Sequence, residues 1–216
     1  MTVHAPIPDY EAARLAMVDS QLRPLGVSDP VVVDAMATID RERFVDEHWR
    51  PFAYTDRAIP IGDGRLLSAP SVLGQLLSEV VPQAGQRALV VGAGTGYSAA
   101  VLMAIDLDVV ALESSAALAK RARDMGINVV EGPLEQGWEA GGPYDLILID
   151  GAIEFVPDAI AAQLAEGGAI ATALLDRGVA RLVTGRKAAG AIGYHSLADA
   201  GVAALPGFSR PRAFTF

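Results

Sequence analysis

The segment Val90-Val91-Gly92-Ala93-Gly94-Thr95-Gly96-Tyr97 constrains this chain more than any other. A short valine-rich run, 87–91, meets three glycines in quick succession, and a small-residue helix predicted over 97–105 follows at once. Glycines at such a junction let the backbone turn tightly and approach a ligand closely, while the helix points its free N–H groups at it. The same grammar repeats downstream. A second strand over 109–112 ends at Glu113 and leads into a cationic helix carrying Lys120, Arg121 and Arg123. Strands over 128–130, 144–149 and 168–174 follow, with a loop at 137–143 and a helix over 158–165. Strands that are apolar throughout and alternate with helices predict an α/β fold, a doubly wound and mostly parallel sheet covered on both faces. Beyond residue 181, two or three strand-like pieces separated by glycines complete the sheet edge.

The first sixty residues read differently. Ala13, Met17, Leu22 and Leu25 recur at near-helical spacing up to Gly26, and Ser28-Asp29-Pro30 supplies a cap ahead of a second helix. Residues 51–64 read as a loop, and Pro70 opens a helix whose apolar face is Val72, Leu73, Leu76, Leu77 and Val80. At 216 residues and 51% hydrophobic, the chain has material for one packed domain, which excludes a disordered one. Seventeen cationic side chains against 26 acidic ones leave a net charge of −9, which disfavours nucleic acid as a partner. With no cysteine, disulfide scaffolds, thiolate zinc sites and cysteine nucleophiles are excluded. His4, His48 and His195 lie too far apart in sequence to form a metal-ligand motif, so no metal is expected. No apolar run approaches the roughly 18 residues of a membrane span, and no secretory signal opens the chain; a cytoplasmic protein is expected.

The glycine spacing narrows the ligand. A dehydrogenase fingerprint, G-x-G-x-x-G, would place its third glycine at 97, where Tyr97 stands. The early third glycine favours a ligand other than a pyrophosphate. Glu113, ending the second strand, is placed to accept both hydroxyls of a ribose, so the two features predict a nucleoside across the carboxyl ends of these strands. The bland alternatives are a merely tight connection at the glycines and a solvated strand end at Glu113. Of the acids flanking the strand over 144–149, Asp145 is expected to be structural and Asp150 to face the crevice.

G-x-G-x-G after one strand and an acid after the next resemble the S-adenosylmethionine-dependent methyltransferases. Met17-Val18-Asp19-Ser20-Gln21-Leu22-Arg23, Arg41-Glu42-Arg43-Phe44-Val45, Ala53-Tyr54-Thr55-Asp56, Ile59-Pro60-Ile61-Gly62 and Leu67-Ser68-Ala69-Pro70 narrow the likeness. In that order they resemble the N-terminal region of protein-L-isoaspartate O-methyltransferases, and Gly137-Trp138, Pro143-Tyr144-Asp145, Gln163-Leu164 and Gly167-Gly168 continue the match. The resemblance spans about residues 10 to 190 and is that of a divergent bacterial branch ending in Leu205-Pro206-Gly207-Phe208 and Phe214-Thr215-Phe216.

The resemblance implies a seven-stranded, Rossmann-like sheet of the class I methyltransferase type with an N-terminal helical extension. It implies two regions packed as one globular unit: 1–82, helical with the substrate-side loop, and 83–216, binding S-adenosylmethionine. The activity implied is protein repair, methyl transfer to the free carboxylate of isoaspartyl residues. By similarity, Gly92, Ala93, Gly94, Gly96, Tyr97, Glu113, Ser114, Pro133, Leu134 and Asp150 hold the cofactor. Ser68 stands beside the transfer site and Asp56 lines the substrate side. As bare residues, Ser68 would cap the helix at Pro70 and Asp56 would satisfy backbone N–H groups of its own loop.

Departures from the family pattern mark the same surface. Val90 stands where an acid holds the cofactor's amino group, removing a contact worth about 1.5–3 kcal/mol. Leu66-Leu67-Ser68 replaces Thr-Ile-Ser, Ser71 replaces an aromatic or His, Gly132-Pro133-Leu134 replaces the adenine loop's Gly-Asp-Gly, and Asp150-Gly151 precedes no proline. These keep two alternatives open beside the isoaspartyl enzyme: a non-catalytic homologue acting as a binding module, and a methyltransferase with another carboxylate or small-molecule acceptor.

Overall fold

Asp9 accepts the Ala12 N–H at 3.0 Å and so caps α1 (Tyr10–Met17). The protein is represented by a computed structural model that describes residues 9–210. Residues 1–8 and the closing Phe214-Thr215-Phe216 lie outside the described residues. One π-helical turn, Val18–Leu22, continues α1 so that Met17, Val18 and Leu22 are all buried. Asp29 caps α2 (Pro30–Thr38) through the N–H groups of Val31 and Val32, with Pro30 at the first helical position. After it the chain makes only 3₁₀ turns, Arg41–Phe44 and Glu47–Phe52, so the N-terminal extension is helical in short pieces.

The stretch read as a loop ends in structure. β1 (Ile59–Gly62) pairs antiparallel with β2 (Arg65–Leu67) around Asp63-Gly64, whose φ values of +50° and +69° are those a two-residue hairpin turn requires. Pro60 hides this strand in the sequence, yet a short edge strand tolerates it. α3 (Pro70–Val80) then buries the five predicted apolar residues.

Seven strands build the main sheet. In chain order the elements are β3 (Arg87–Val91), α4 (Tyr97–Ala104), β4 (Asp108–Glu113), α5 (Ala116–Asp124) and β5 (Val129–Glu131). β6 (Tyr144–Ile153), α6 (Asp158–Gln163), β7 (Leu164–Asp176), β8 (Val179–Ala188) and β9 (Ala191–Asp199) follow. The spatial order is β5-β4-β3-β6-β7-β8-β9, the first five parallel and the last two antiparallel. Side chains alternate between two apolar layers. Ala88 and Val90 join a cluster running from Met17 to Leu182, whereas Leu89 and Val91 join a second with Ile147, Ile149, Ile170 and Phe208. The chain runs outward from β3 to β5 and returns on the other side at β6, so the strand order reverses at the carboxyl end of β3, where doubly wound sheets bind ligands.

One boundary differs from expectation in a way that matters there. β6 runs past residue 149 to Ile153, because residues 152–153 pair with β7 and the chain beyond β9 adds to its other edge. Ala152 donates to Ala203 O and accepts from Leu205 N, both at 2.8 Å, which lays the tail across the carboxyl end of β6. No helix among the described residues is long and apolar enough to cross a membrane.

Candidate active site

The carboxyl ends of β3, β4 and β6 converge on the glycine turn. Gly92, Gly94 and Gly96 have φ of +75°, +57° and +97°, which L side chains rarely adopt. At Gly94 an added Cβ would also stand 2.7 Å from Ile61 Cδ1, on the β1–β2 hairpin that covers the turn. Gly92 and Ala93 both donate to Leu112 O, at 2.9 and 3.1 Å, so the turn is fastened to β4.

Glu113 is fully buried and aimed into this turn, as its position at the strand end predicts. Its Oε2 accepts the Gly94 N–H at 2.7 Å, and its Oε1 accepts the N–H groups of Ser114 and Ser115 at 2.8 and 3.0 Å. The remaining capacity is taken by Arg65. The Arg65 Nη1 lies 2.8 Å from Oε1 and 3.0 Å from Oε2, while its Nη2 donates to Gly92 O at 2.8 Å. A carboxylate offers about four lone-pair sites, and here every one is used. The carboxylate expected to take the ribose hydroxyls is thus engaged by a guanidinium. Arg65 was not among the expected site residues. Its signal was a lone cation beside the Asp63-Gly64 turn, among the apolar strand residues of the Ile59–Leu67 hairpin.

Leu205 closes the other side. The positions where Gly92 and Gly151 would carry a Cβ lie 3.0 Å and 2.4 Å from Leu205 side-chain carbons. The space left between Arg65, Ser68, Asp150, Gly151 and Leu205 is a cavity of about 10 Å³, the size of one water molecule at most. Leu205 too escaped sequence reasoning, since nothing in Leu205-Pro206-Gly207-Phe208 says where that tail docks.

The wall of the site beside Ser68 is built on a buried arginine. Arg41, 1% exposed, donates from Nε to Ala53 O at 2.8 Å and from Nη2 to Ser68 O at 2.5 Å, and its guanidinium carbon sits 4.6 Å from the Tyr97 ring centroid. Burial lowers the Arg41 pKa from its ordinary value. Ser68 donates its hydroxyl to Asp150 Oδ1 at 3.1 Å, and the helix-capping position ahead of Pro70 belongs to Ala69. Burial raises the Asp150 carboxyl above its ordinary pKa, with the Ser98 and Ser68 hydroxyls and the Arg65 and Arg41 charges opposing it. Asp56 does not reach this group: its Oδ1 accepts the Ser71 N–H at 3.0 Å and so caps α3 from a loop fifteen residues earlier.

The remaining expected residues divide. Ala93, Gly96 and Ser114 lie at the turn through their backbones, but the Tyr97 side chain is buried beneath Arg41 and edge-on to Phe44 at 5.5 Å. Leu134 packs into the second apolar layer, whereas Pro133 lines an open groove of about 960 Å³ with Glu131, Trp138 and Gln163. Asp145 accepts the Arg87 N–H at 2.9 Å, the structural role expected of it. Among the described residues no cluster of acids and histidines could hold a metal ion.

Known proteins resemble this chain along most of its length. The family model described as Protein-L-isoaspartate(D-aspartate) O-methyltransferase matches residues 14–198. A protein-L-isoaspartate O-methyltransferase from Koribacter versatilis is 37% identical over 193 residues, covering 86% of this chain and 87% of that one. One from Methylorubrum populi is 37% identical over 164 residues, covering 73% and 77%. A solved protein-L-isoaspartate O-methyltransferase, 26% identical, superposes with a TM-score of 0.80 over 90% of this chain and 66% of that one, so about a third of the solved chain has no counterpart here. A Plasmodium falciparum structure assigned to the same enzymes, in complex with S-adenosyl-L-homocysteine, shares the fold at 20% identity and a TM-score of 0.77, over 92% and 99%.

Proposed function

The chain belongs to the protein-L-isoaspartate(D-aspartate) O-methyltransferase family, and from this we propose that it methylates the free carboxylate of isoaspartyl residues in damaged proteins, using S-adenosylmethionine. The observation that carries the reading is a carboxylate aimed into the glycine turn, Glu113 on the Gly94 N–H, within a chain matched over residues 14–198.

S-adenosylmethionine, when bound, supplies a methyl group on a sulfonium. The donor set here suits its nucleoside: a glycine-rich backbone turn, a buried acid and the start of α4. The space does not, because the Arg65 and Leu205 side chains stand in it. The acceptor asks for no general base. A carboxyl of reference pKa about 4 is already ionised at neutral pH, so the chain's own task is to hold it in line and keep water out.

On this reading Gly92, Ala93, Gly94, Gly96, Glu113 and Ser114 make the cofactor side, with Pro133 toward the adenine. Ser68 orients the acceptor carboxylate, and Arg41 fixes Ser68 through its carbonyl. Residues 1–82 form the acceptor half of one globular unit and residues 83–216 its cofactor half, working in the cytoplasm on protein substrates. Asp56, which caps α3, acts on the acceptor side through that helix. The filled hollow favours a second reading, a homologue that keeps the sheet and binds a partner with little cofactor affinity.

Incubation with methyl-labelled S-adenosylmethionine and an isoaspartyl peptide separates the readings. The expected result is a base-labile methyl ester on the isoaspartyl peptide and none on its aspartyl counterpart. Bound cofactor without ester formation would overturn the proposed acceptor.

A further inference from the structure

The covered glycine turn says more than that the site is closed. Arg65 does what a ribose is expected to do there: it places hydrogen-bond donors on both oxygens of Glu113, at 2.8 and 3.0 Å. Its second nitrogen caps Gly92 O at 2.8 Å, a carbonyl that would otherwise be left facing the hollow. Leu205 supplies the apolar bulk, packed against Gly92 and Gly151, where only glycine leaves room for it. Each side chain is held from behind by a separate part of the chain. The Arg65 hairpin is tied to α5 by the Ser115 hydroxyl on Asp63 and by Arg121 Nη1 on Ile61 O at 2.7 Å. The Leu205 backbone is tied to β6 through Ala152 O at 2.8 Å, and Phe208, three residues on, is buried in the second apolar layer.

We propose that Arg65 and Leu205 are internal competitors of the cofactor, so that S-adenosylmethionine enters only by displacing both and its apparent affinity is set by how often they leave. This rests on the methyltransferase reading and adds to it which residues determine affinity. The physical reason is a shared set of partners. Glu113 has no free lone pair for ribose hydroxyls while Arg65 is in place, and the cavity left between Arg65, Ser68, Asp150, Gly151 and Leu205, about 10 Å³, holds one water at most. A ligand that binds a minor open form shows an affinity weakened by the fraction of molecules open. The arginine and the leucine reach the turn from opposite ends of the sequence, so each contributes its own share of closure.

Calorimetric titration with S-adenosylhomocysteine tests this on the full chain. Arg65→Gln shortens the reach to Glu113 and removes the charge. Leu205→Ala empties the apolar side while leaving the ion pair intact, which guards against a misfolded Arg65 variant. Circular dichroism and thermal melting establish that each is folded. The expected result is tighter binding by each single variant than by wild type, and by the double variant at least about tenfold tighter than wild type. Equal dissociation constants for all four folded proteins would overturn the competition and leave the methyltransferase reading standing. Absence of saturable binding by any of them at millimolar ligand would overturn both.

Discussion

Asp150 and Ser68 are where burial and charge work against each other most directly. The Asp150 carboxyl is raised above its ordinary value of 3.8 mainly by burial, although two hydroxyls and two guanidiniums pull it down. A carboxyl whose folded pKa exceeds its unfolded one holds its proton more tightly in the native state, so stability falls as pH rises from 3.8 through the raised value. Asp150→Asn keeps an acceptor for the Ser68 hydroxyl and removes that loss. Its urea midpoint should exceed that of wild type at pH 8, with the gap narrowing as the pH approaches 4; a gap independent of pH would show that the carboxyl ionises freely in the fold. Ser68 carries the complementary prediction. If its hydroxyl orients the acceptor, Ser68→Ala should lower kcat about fivefold, the factor for one hydrogen bond of about 1 kcal/mol, while the affinity for S-adenosylhomocysteine holds. A change in that affinity with kcat intact would instead place Ser68 on the cofactor side.

The elements divide into those the sequence announces and those it conceals. Strands β3, β4 and β6 were legible because each carries an unbroken apolar run, residues 88–91, 109–112 and 146–149, and Glu113 was legible because it follows the second such run. The β1–β2 hairpin was concealed by Pro60, although Asp63-Gly64 between apolar flanks is a strong hairpin signal that could have found it. The Ser68 capping role failed for a different reason. A serine ahead of Pro70 looks like a cap, but the first turn of α3 draws on Asp56, a contact across fifteen residues that no local pattern encodes. Asp56→Ala should therefore destabilise the fold by about 1 kcal/mol by orphaning the Ser71 N–H, read as a lower urea midpoint, while Asp56→Asn retains most of the stability. Equal losses in the two variants would mean that the carboxylate charge matters, and not the cap.

At the scale of the whole molecule, the tail beyond β9 couples stability to access. The architecture of the sheet was written in the alternation of strands and helices, but the docking of residues 203–208 on β6 was not, because a parallel bridge from Ala204 to Ala152 depends on a strand end that is itself extended by the tail. Phe208 is the anchor, 1% exposed between the second apolar layer and the strand ends, and its backbone carbonyl accepts the Glu154 N–H at 3.3 Å. Replacing a buried phenylalanine by alanine costs about 3–5 kcal/mol where the site cannot collapse, and somewhat less where an edge segment can simply detach. Detachment would carry Leu205 away from Gly92 and Gly151. Phe208→Ala should thus lower the unfolding free energy by about 3 kcal/mol and, in the same preparation, bind S-adenosylhomocysteine more tightly than wild type. Loss of stability with unchanged affinity would mean that Leu205 holds its place without the anchor. Opposed changes in the two measurements are the signature of a chain whose own packing competes with its ligand, since every contact that secures the tail then stabilises the closed form at the expense of the bound one.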